Sequence, residues 1–401
     1  MVERREAKNI SADKGPWMWR NARLAEEGAS SIGALEIGFY VDTWLAPLEG
    51  SAGPFRFIDP LYDQLPSELY INGDLNAPAM CLMGRVEQYA HSDEPSYDYV
   101  DDTWKQTDPD VYHGGDASDE VAALVSIATG RRVRSAGIIR VFELGQDPRG
   151  APHQQRKSTP YSPFPPHYLR VLPYAWRRTH GESLRALELI ELYSSLSSLE
   201  AAALIRAART YQEALWIAED DPRQAWLRLV SAAEVVAQLA PDLPAGARLK
   251  RAFPETEPSM IVKRLLETGD DELIEWAARR LADQGRSTRK FLDFFQRYQP
   301  PQPPRRPTTQ GARVDWSKLR KQLRRIYEYR SSDLHAGIPF PASMCEVPWK
   351  TPRKLAYEVA HEVRGGKQDA PILLHVFEYI VRVAIQKWWR STGRANRRLR
   401  A

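Results

Sequence analysis

Two hydrophobic periodicities divide the chain. In the first 150 residues apolar positions gather in short runs, ALEIGFYV (34–41), PAMCLMGRV (78–86) and AGIIRVFEL (136–144), bounded by Gly, Pro or Asp. Runs of this length and composition predict strands. Between them, DASDEVAALVSIATG (116–130) opens on a capping Asp, has acids in its first turn and ends on Gly, which predicts a helix. From about Glu182 the period becomes helical, and segments 183–197, 200–220, 223–240, 258–267, 270–298, 315–336 and 371–391 each predict a helix. In the last, Ile372, Val376, Ile380, Val383 and Lys387 step by 4, 4, 3 and 4. The pattern predicts a mixed α+β N-terminal domain over 1–150, a proline-rich linker over 151–182, an all-α helical bundle over 183–391 and a frayed basic tail over 392–401. QPPQPPRRP (299–307) reads as an extended spacer between two helices, with a PxxP pattern that could also engage a partner.

Composition narrows the class. With 401 residues, 43% hydrophobic and 27% charged, the chain reads as an ordinary soluble protein of two or three domains. No apolar run approaches the roughly 20 residues of a membrane span, and MVERREAKNISADKG lacks the apolar core of a signal peptide. Cys81 and Cys345, the two cysteines, support neither a disulfide framework nor a cysteine-based zinc site, and they fit a reducing cytoplasm.

The net charge of +4 hides a split. Residues 1–150 hold 14 Lys and Arg against 25 Asp and Glu, a net of −11; the remainder holds 42 against 27, a net of +15. A basic half suits a polyanion such as RNA, and equally a solvated basic surface. Residues 93–120 contain ten acids and one Lys without a metal-ligand spacing, which predicts a solvated acidic loop. The chain has no Walker A loop, GxGxxG turn, GxSxG elbow or HExxH pair; His361-Glu362 begins the last, but Gly365-Gly366 takes the place of its second His. No cofactor or metal is expected.

One short motif remains, in DWSKLRKQLRRIYEYRSSDLHAG (315–337). Leu319, Leu323 and Ile326 form an apolar stripe, and a further step of 4 lands on Arg330. A buried guanidinium is costly unless it is paired or part of a site. His335 lies about 140° further round a straight helix, but Gly337 and Pro339 predict that the helix stops at His335, freeing the imidazole from helical geometry. Arg330 and His335 could instead simply favour the negative end of a helix dipole. In QAWLRLVSAAEVVAQLAP (224–241), Glu234 is the single charged residue after Arg228. It needs a cation, for which Arg330 is a candidate, or a solvent-exposed seam.

An apolar helix with an embedded Glu, then RSTRKFLDFFQRYQP (286–300), then IYEYRSSDLHAG (326–337) resembles the Apea-like branch of the HEPN family over about residues 183–391. The resemblance implies an all-helical HEPN domain, usually dimeric, in which the Arg-x4-His segments of two protomers meet in a cleft. Many such proteins are metal-independent endoribonucleases of toxin–antitoxin and antiphage systems; others are inactive binding modules. Arg330 and His335 match the motif Arg and His, while Ser331 stands where HEPN motifs often carry Asn, Asp or His. The expected partners are RNA, a second copy of the chain, and a trigger or antitoxin acting on the N-terminal domain. Histidine exchanges protons near neutrality and arginine presents paired N–H donors to phosphate, so both suit metal-free RNA cleavage. Glu234, Ser331 and Asp333 are candidates to orient Arg330 or His335.

Overall fold

The computed structural model describes residues 15–42, 50–58, 79–89, 97–100, 103–106, 115–145, 170–172, 180–239, 264, 267–270, 272–273, 287–303, 314–347 and 372–400. Among these, the fold is α+β. Helix α1 (Trp17–Glu26) precedes strands β1 (Gly33–Val41), β2 (Gly50–Ala52), β3 (Phe55–Ile58) and β4 (Ala79–Gln88). A hairpin of β5 (Tyr97–Val100) and β6 (Thr103–Gln106) follows, then α2 (Ala117–Thr129) and β7 (Val133–Glu143). The later described elements are helical: α3 (His180–Glu191), α4 (Ser198–Ile217), α5 (Pro222–Ala237), α6 (287–297), α7 (Leu319–Ala336) and α8 (Leu374–Arg400).

The strands β2-β3-β4-β1-β7 form one antiparallel sheet. Alternation along β1 sorts its side chains: Leu35, Ile37, Phe39 and Val41 join the main core, whereas Tyr40 joins a small cluster with Met83, Ala136 and Ile139. The main core is continuous from Trp17 and Phe39, through α2, to Trp226 and Trp389. Helix α2 is its centre. Every residue from Glu120 to Thr129 is buried, with β7 on one side and α3 and α4 on the other.

The ends of α2 show why it sits there. Asp116 caps the first turn in a capping box with Asp119, and Gly130 closes the last at φ +67°. That left-handed conformation favours glycine, and a Cβ there would also lie 2.6 Å from the Arg382 side chain on α8. Buried Glu120 accepts hydrogen bonds from the backbone N–H of Trp17 (3.1 Å) and Met18 (2.9 Å). It thereby caps α1, whose own N-cap, Pro16, makes no side-chain cap bond.

A second buried group of charges joins sheet and helices. Arg132 donates through Nη1 to Asp42 (3.0 Å), through Nη2 to Glu219 (2.6 Å) and through Nε to the Leu215 carbonyl (2.5 Å). Arg170 reaches the same Asp42 oxygen at 3.4 Å, and Glu219 also accepts the N–H groups of Val171 (2.6 Å) and Leu172 (3.2 Å). All four charged side chains are buried.

Several expectations need adjusting. Residues 93–120, read as a solvated loop, contain two strands, because Tyr97–Val100 and Thr103–Gln106 pair antiparallel. The segment expected to fray stays helical to Arg400, held where Asn396 donates to Glu200 (2.8 Å) and Arg400 donates to the Ser194 (3.2 Å) and Leu196 (3.3 Å) carbonyls. Apart from 170–172 and 180–182, the linker expected over 151–182 lies outside the described residues, as does His361-Glu362; so does 258–267 apart from 264 and 267. No helix among the described residues is long and apolar enough to cross a membrane.

Removing one member of the buried charge group leaves its partners desolvated and uncompensated. Arg132→Met is therefore expected to destabilise the fold by about 3–5 kcal/mol, read as a lower denaturant midpoint. A midpoint equal to that of the wild type would show that Arg132 does not hold the two regions together.

Candidate functional site

Helix α5 begins where Asp221 caps the Gln224 N–H (3.0 Å) and Pro222 takes an early position without needing a donor. Its buried face carries Trp226, Leu229, Val230, Ala233 and Val236. The Trp226 ring stacks on Phe377 of α8, with centroids 4.8 Å apart, and on Phe340, 5.5 Å away, and its Nε1 donates to the Met344 carbonyl (3.2 Å). These contacts fold the segment after α7 back over α5.

Helix α7 packs against α5, and its stripe Leu319, Leu323 and Ile326 is buried in the core. The next position is Arg330, and α5 offers it Glu234. Arg330 Nη2 donates to Glu234 Oε2 at 2.8 Å, with side-chain exposures of 21% and 14%. Tyr327, one turn earlier, donates its phenol to the other carboxylate oxygen at 2.6 Å. The Tyr327 ring lies 5.1 Å from that of Phe291 on α6, and the Arg330 guanidinium carbon lies 5.5 Å from the Tyr327 centroid. Glu234 therefore sits in a fork. Burial first, then the hydrogen bond to Glu234, pushes the Tyr327 phenol up to about 12, against the opposing charge of Arg330. The buried Arg330 Nε has no hydrogen-bond partner, so the guanidinium retains donor capacity beyond its bond to Glu234.

Asp333, a candidate to orient Arg330 or His335, pairs with Arg223. It is buried and held in a fork by Arg223 of α5, with Nε to Oδ2 at 2.6 Å and Nη2 to Oδ1 at 2.7 Å. The bond to Asp333 in turn raises the pKa of Arg223 above its ordinary value. Asp333 thus pins the last turn of α7 to the start of α5. Beside this pair, burial and the Asp221 charge push the Cys345 thiol up to about 11, which leaves it protonated near neutrality.

The helix does not stop at His335. It continues to Ala336 and is closed by Gly337 at φ +66°, with Gly337 N–H returning to the Asp333 carbonyl (3.1 Å) and Ile338 N–H to that of Ser332 (3.2 Å). His335 therefore keeps helical geometry. Arg330 faces α5 and His335 is exposed, as the five-residue spacing on a helix requires. Ser331 is partly exposed between them. The structure thus unites Arg330 with Glu234 and leaves His335 on a different face.

Two supporting residues were not read from the sequence, Tyr327 and Arg223. Tyr327 had a usable signal, since it lies three residues before Arg330 on the same helical face. Arg223 had none, because a cation just after a helix-starting Pro looks like any solvated residue. Among the described residues no group of three or more His, Cys, Asp or Glu is placed to hold a metal. No protein-family model, curated protein or solved structure matches this chain.

The raised phenol predicts an alkaline signature. Because the folded value is about 12 and the ordinary one 10, its contribution to stability is complete below about pH 10 and is lost as pH rises through about 12. The stability difference between wild type and Tyr327→Phe should therefore shrink across that window in denaturant titrations. A difference that stays constant would mean that Glu234 does not hold the phenol.

Proposed function

We propose that this chain is a metal-independent HEPN-type endoribonuclease of the Apea-like branch, acting as a toxin or antiphage effector in the cytoplasm, with Arg330 and His335 as its catalytic residues. The observation that carries this reading is Arg330 itself. It is a mostly buried arginine, oriented by a carboxylate on a neighbouring apolar helix, with donors left over, five residues before an exposed histidine at a helix end.

The chemistry is RNA transesterification. A His335 imidazole takes the proton of a ribose 2′-OH, and the 2′-oxygen attacks the adjacent phosphorus. The P–O5′ bond breaks, a proton passes to O5′, and the products carry a 2′,3′-cyclic phosphate and a 5′-hydroxyl. Arg330 stabilises the charge that gathers on the non-bridging oxygens, and Glu234 with Tyr327 fixes its orientation. Asp333 positions the motif through Arg223.

One imidazole cannot serve as base and acid at the same instant, and within one protomer Arg330 and His335 diverge. Both points favour a symmetric dimer in which two α7 ends face each other and supply two copies of each group. Leu334 and Ile338, 52% and 59% exposed, flank His335 and offer apolar surface that a second protomer would cover. In this reading the N-terminal half senses a trigger or antitoxin and restrains the helical half, an all-α HEPN domain.

The same divergence favours a second reading, a non-catalytic HEPN module that binds nucleic acid or a protein partner. Purified protein incubated with labelled RNA in EDTA separates the two. Catalysis predicts cleavage, and His335→Ala or Arg330→Ala should slow it roughly 10²–10⁴-fold while leaving a folded protein. Cleavage by His335→Ala at the wild-type rate would refute the site.

The dimer has its own check. Sedimentation at concentrations where the protein is active should give the mass of two protomers; a single-protomer mass there rules out the facing arrangement.

A further inference from the structure

The last turns of α8 carry charge of one sign. From Tyr379 to Arg400 the chain has seven Lys and Arg and no Asp or Glu. Arg382 is turned inwards, donating to Glu378 (2.7 Å), and Arg400 is engaged with the Ser194 and Leu196 carbonyls. At 100° per residue, Arg390, Arg394, Arg397 and Arg398 fall within about 60° either side of Arg394; Lys387 falls there too but donates to the Gln299 carbonyl (2.7 Å). The opposite face is occupied. Trp388, Trp389 and Gly393 are buried, and a Cβ on Gly393 would lie 3.0 Å from Leu192. Arg394, Arg397 and Arg398 are exposed, as is Arg185 on α3.

Among the described residues, charges of both signs lie near Arg390. The charged form of Arg390 is disfavoured first by burial and then by Arg394; Glu188 opposes that effect and Arg185 adds to it. A helix dipole favours cations in its final turn, which accounts for Arg397, Arg398 and Arg400. It does not account for Arg390 and Arg394 nearer the middle of α8, nor for Arg185 on another helix. Like charges crowded at this spacing repel, and a bound polyanion relieves that repulsion.

We propose that this face of α8, with Arg185, binds the phosphate backbone of RNA at a site separate from Arg330 and His335. The choice of RNA rests on the ribonuclease reading and on the buried apolar side of α8. A helix that lies on a membrane needs an apolar face free to insert. Here that face is packed into the core, and Leu399 is the one large apolar side chain of α8 left well exposed. The surface holds the strand without reading its bases, so it adds affinity and strong salt dependence with little sequence preference.

The test uses the full chain carrying His335→Ala, so that binding is read without cleavage. Affinity for a short unstructured single-stranded RNA is followed by fluorescence anisotropy over a salt series, alone and with Arg394→Gln plus Arg398→Gln. Arg56→Gln with Arg264→Gln, at two other exposed arginines, is the charge-matched control. The Arg394/Arg398 pair should weaken binding at least tenfold at low salt and flatten the log–log salt slope by about 1.4, or about 0.7 for each phosphate no longer neutralised. Affinity and slope equal to those of the control pair overturn the inference, as does the absence of any RNA binding by the chain. Unchanged RNA binding together with weakened retention on anionic phospholipid vesicles also overturns it, in favour of a membrane surface. RNA binding through this face without cleavage by the wild type would leave the inference standing and remove the ribonuclease reading.

Discussion

A carboxylate shielded from water fixes where α5 begins. Glu219 lies in the turn between α4 and α5, and its oxygens accept from Arg132 and from the backbone of Val171 and Leu172. Removing these groups from water is expensive, so the cluster persists only while every partner is in place. Two residues further on, Asp221 caps α5; then come Arg223, which takes Asp333, and Glu234, which takes Arg330. The loop before β7 and the motif helix are thus connected through one rigid helix. A displacement of Arg132 would be felt first at the start of α5.

At the motif, polarity and packing divide the work. The apolar stripe buries one side of α7 in the core, while two ion pairs to α5 fix its rotation and its end position. Glu234 serves a phenol and a guanidinium together, and the phenol is shared with the ring of Phe291. Neither pair is fully desolvated, since Arg223 is substantially exposed and Arg330 partly so. Their worth lies in orientation more than in net stability.

What the sequence made legible were features with a local cause. The run 34–41 alternates and became β1, Asp116 and Gly130 mark the ends of α2, and a step of 4 from Ile326 places Arg330 on the buried stripe. Glu234 stood out as a lone acid among alanines and valines. Features set by distant partners were not legible. Helix α1 is capped by Glu120, about a hundred residues away, and its own cap position is Pro16. Asp333 lies 110 residues from Arg223. Strands β2 and β3 are too short to show a period, and acids in and around the β5–β6 hairpin obscured its alternation. The pattern of Gly337 and Pro339 places the end of α7 one residue early, which matters because the extra residue keeps the imidazole in helical register.

The burial of α2 also has a consequence in time. Its apolar residues are complete once Gly130 has been made, yet the groups that cover them arrive much later. Gln386, on α8, donates to the carbonyls of Ile127 (2.7 Å) and Ala128 (3.2 Å). At roughly 5–20 residues per second, the interval between Gly130 and Gln386 is on the order of 10–50 s. For that interval the emerging chain holds a helix, destined for near-complete burial, whose final covering does not yet exist. Synthesis therefore sets a minimum delay on maturation, and during it α2 is the segment that a chaperone has most reason to hold.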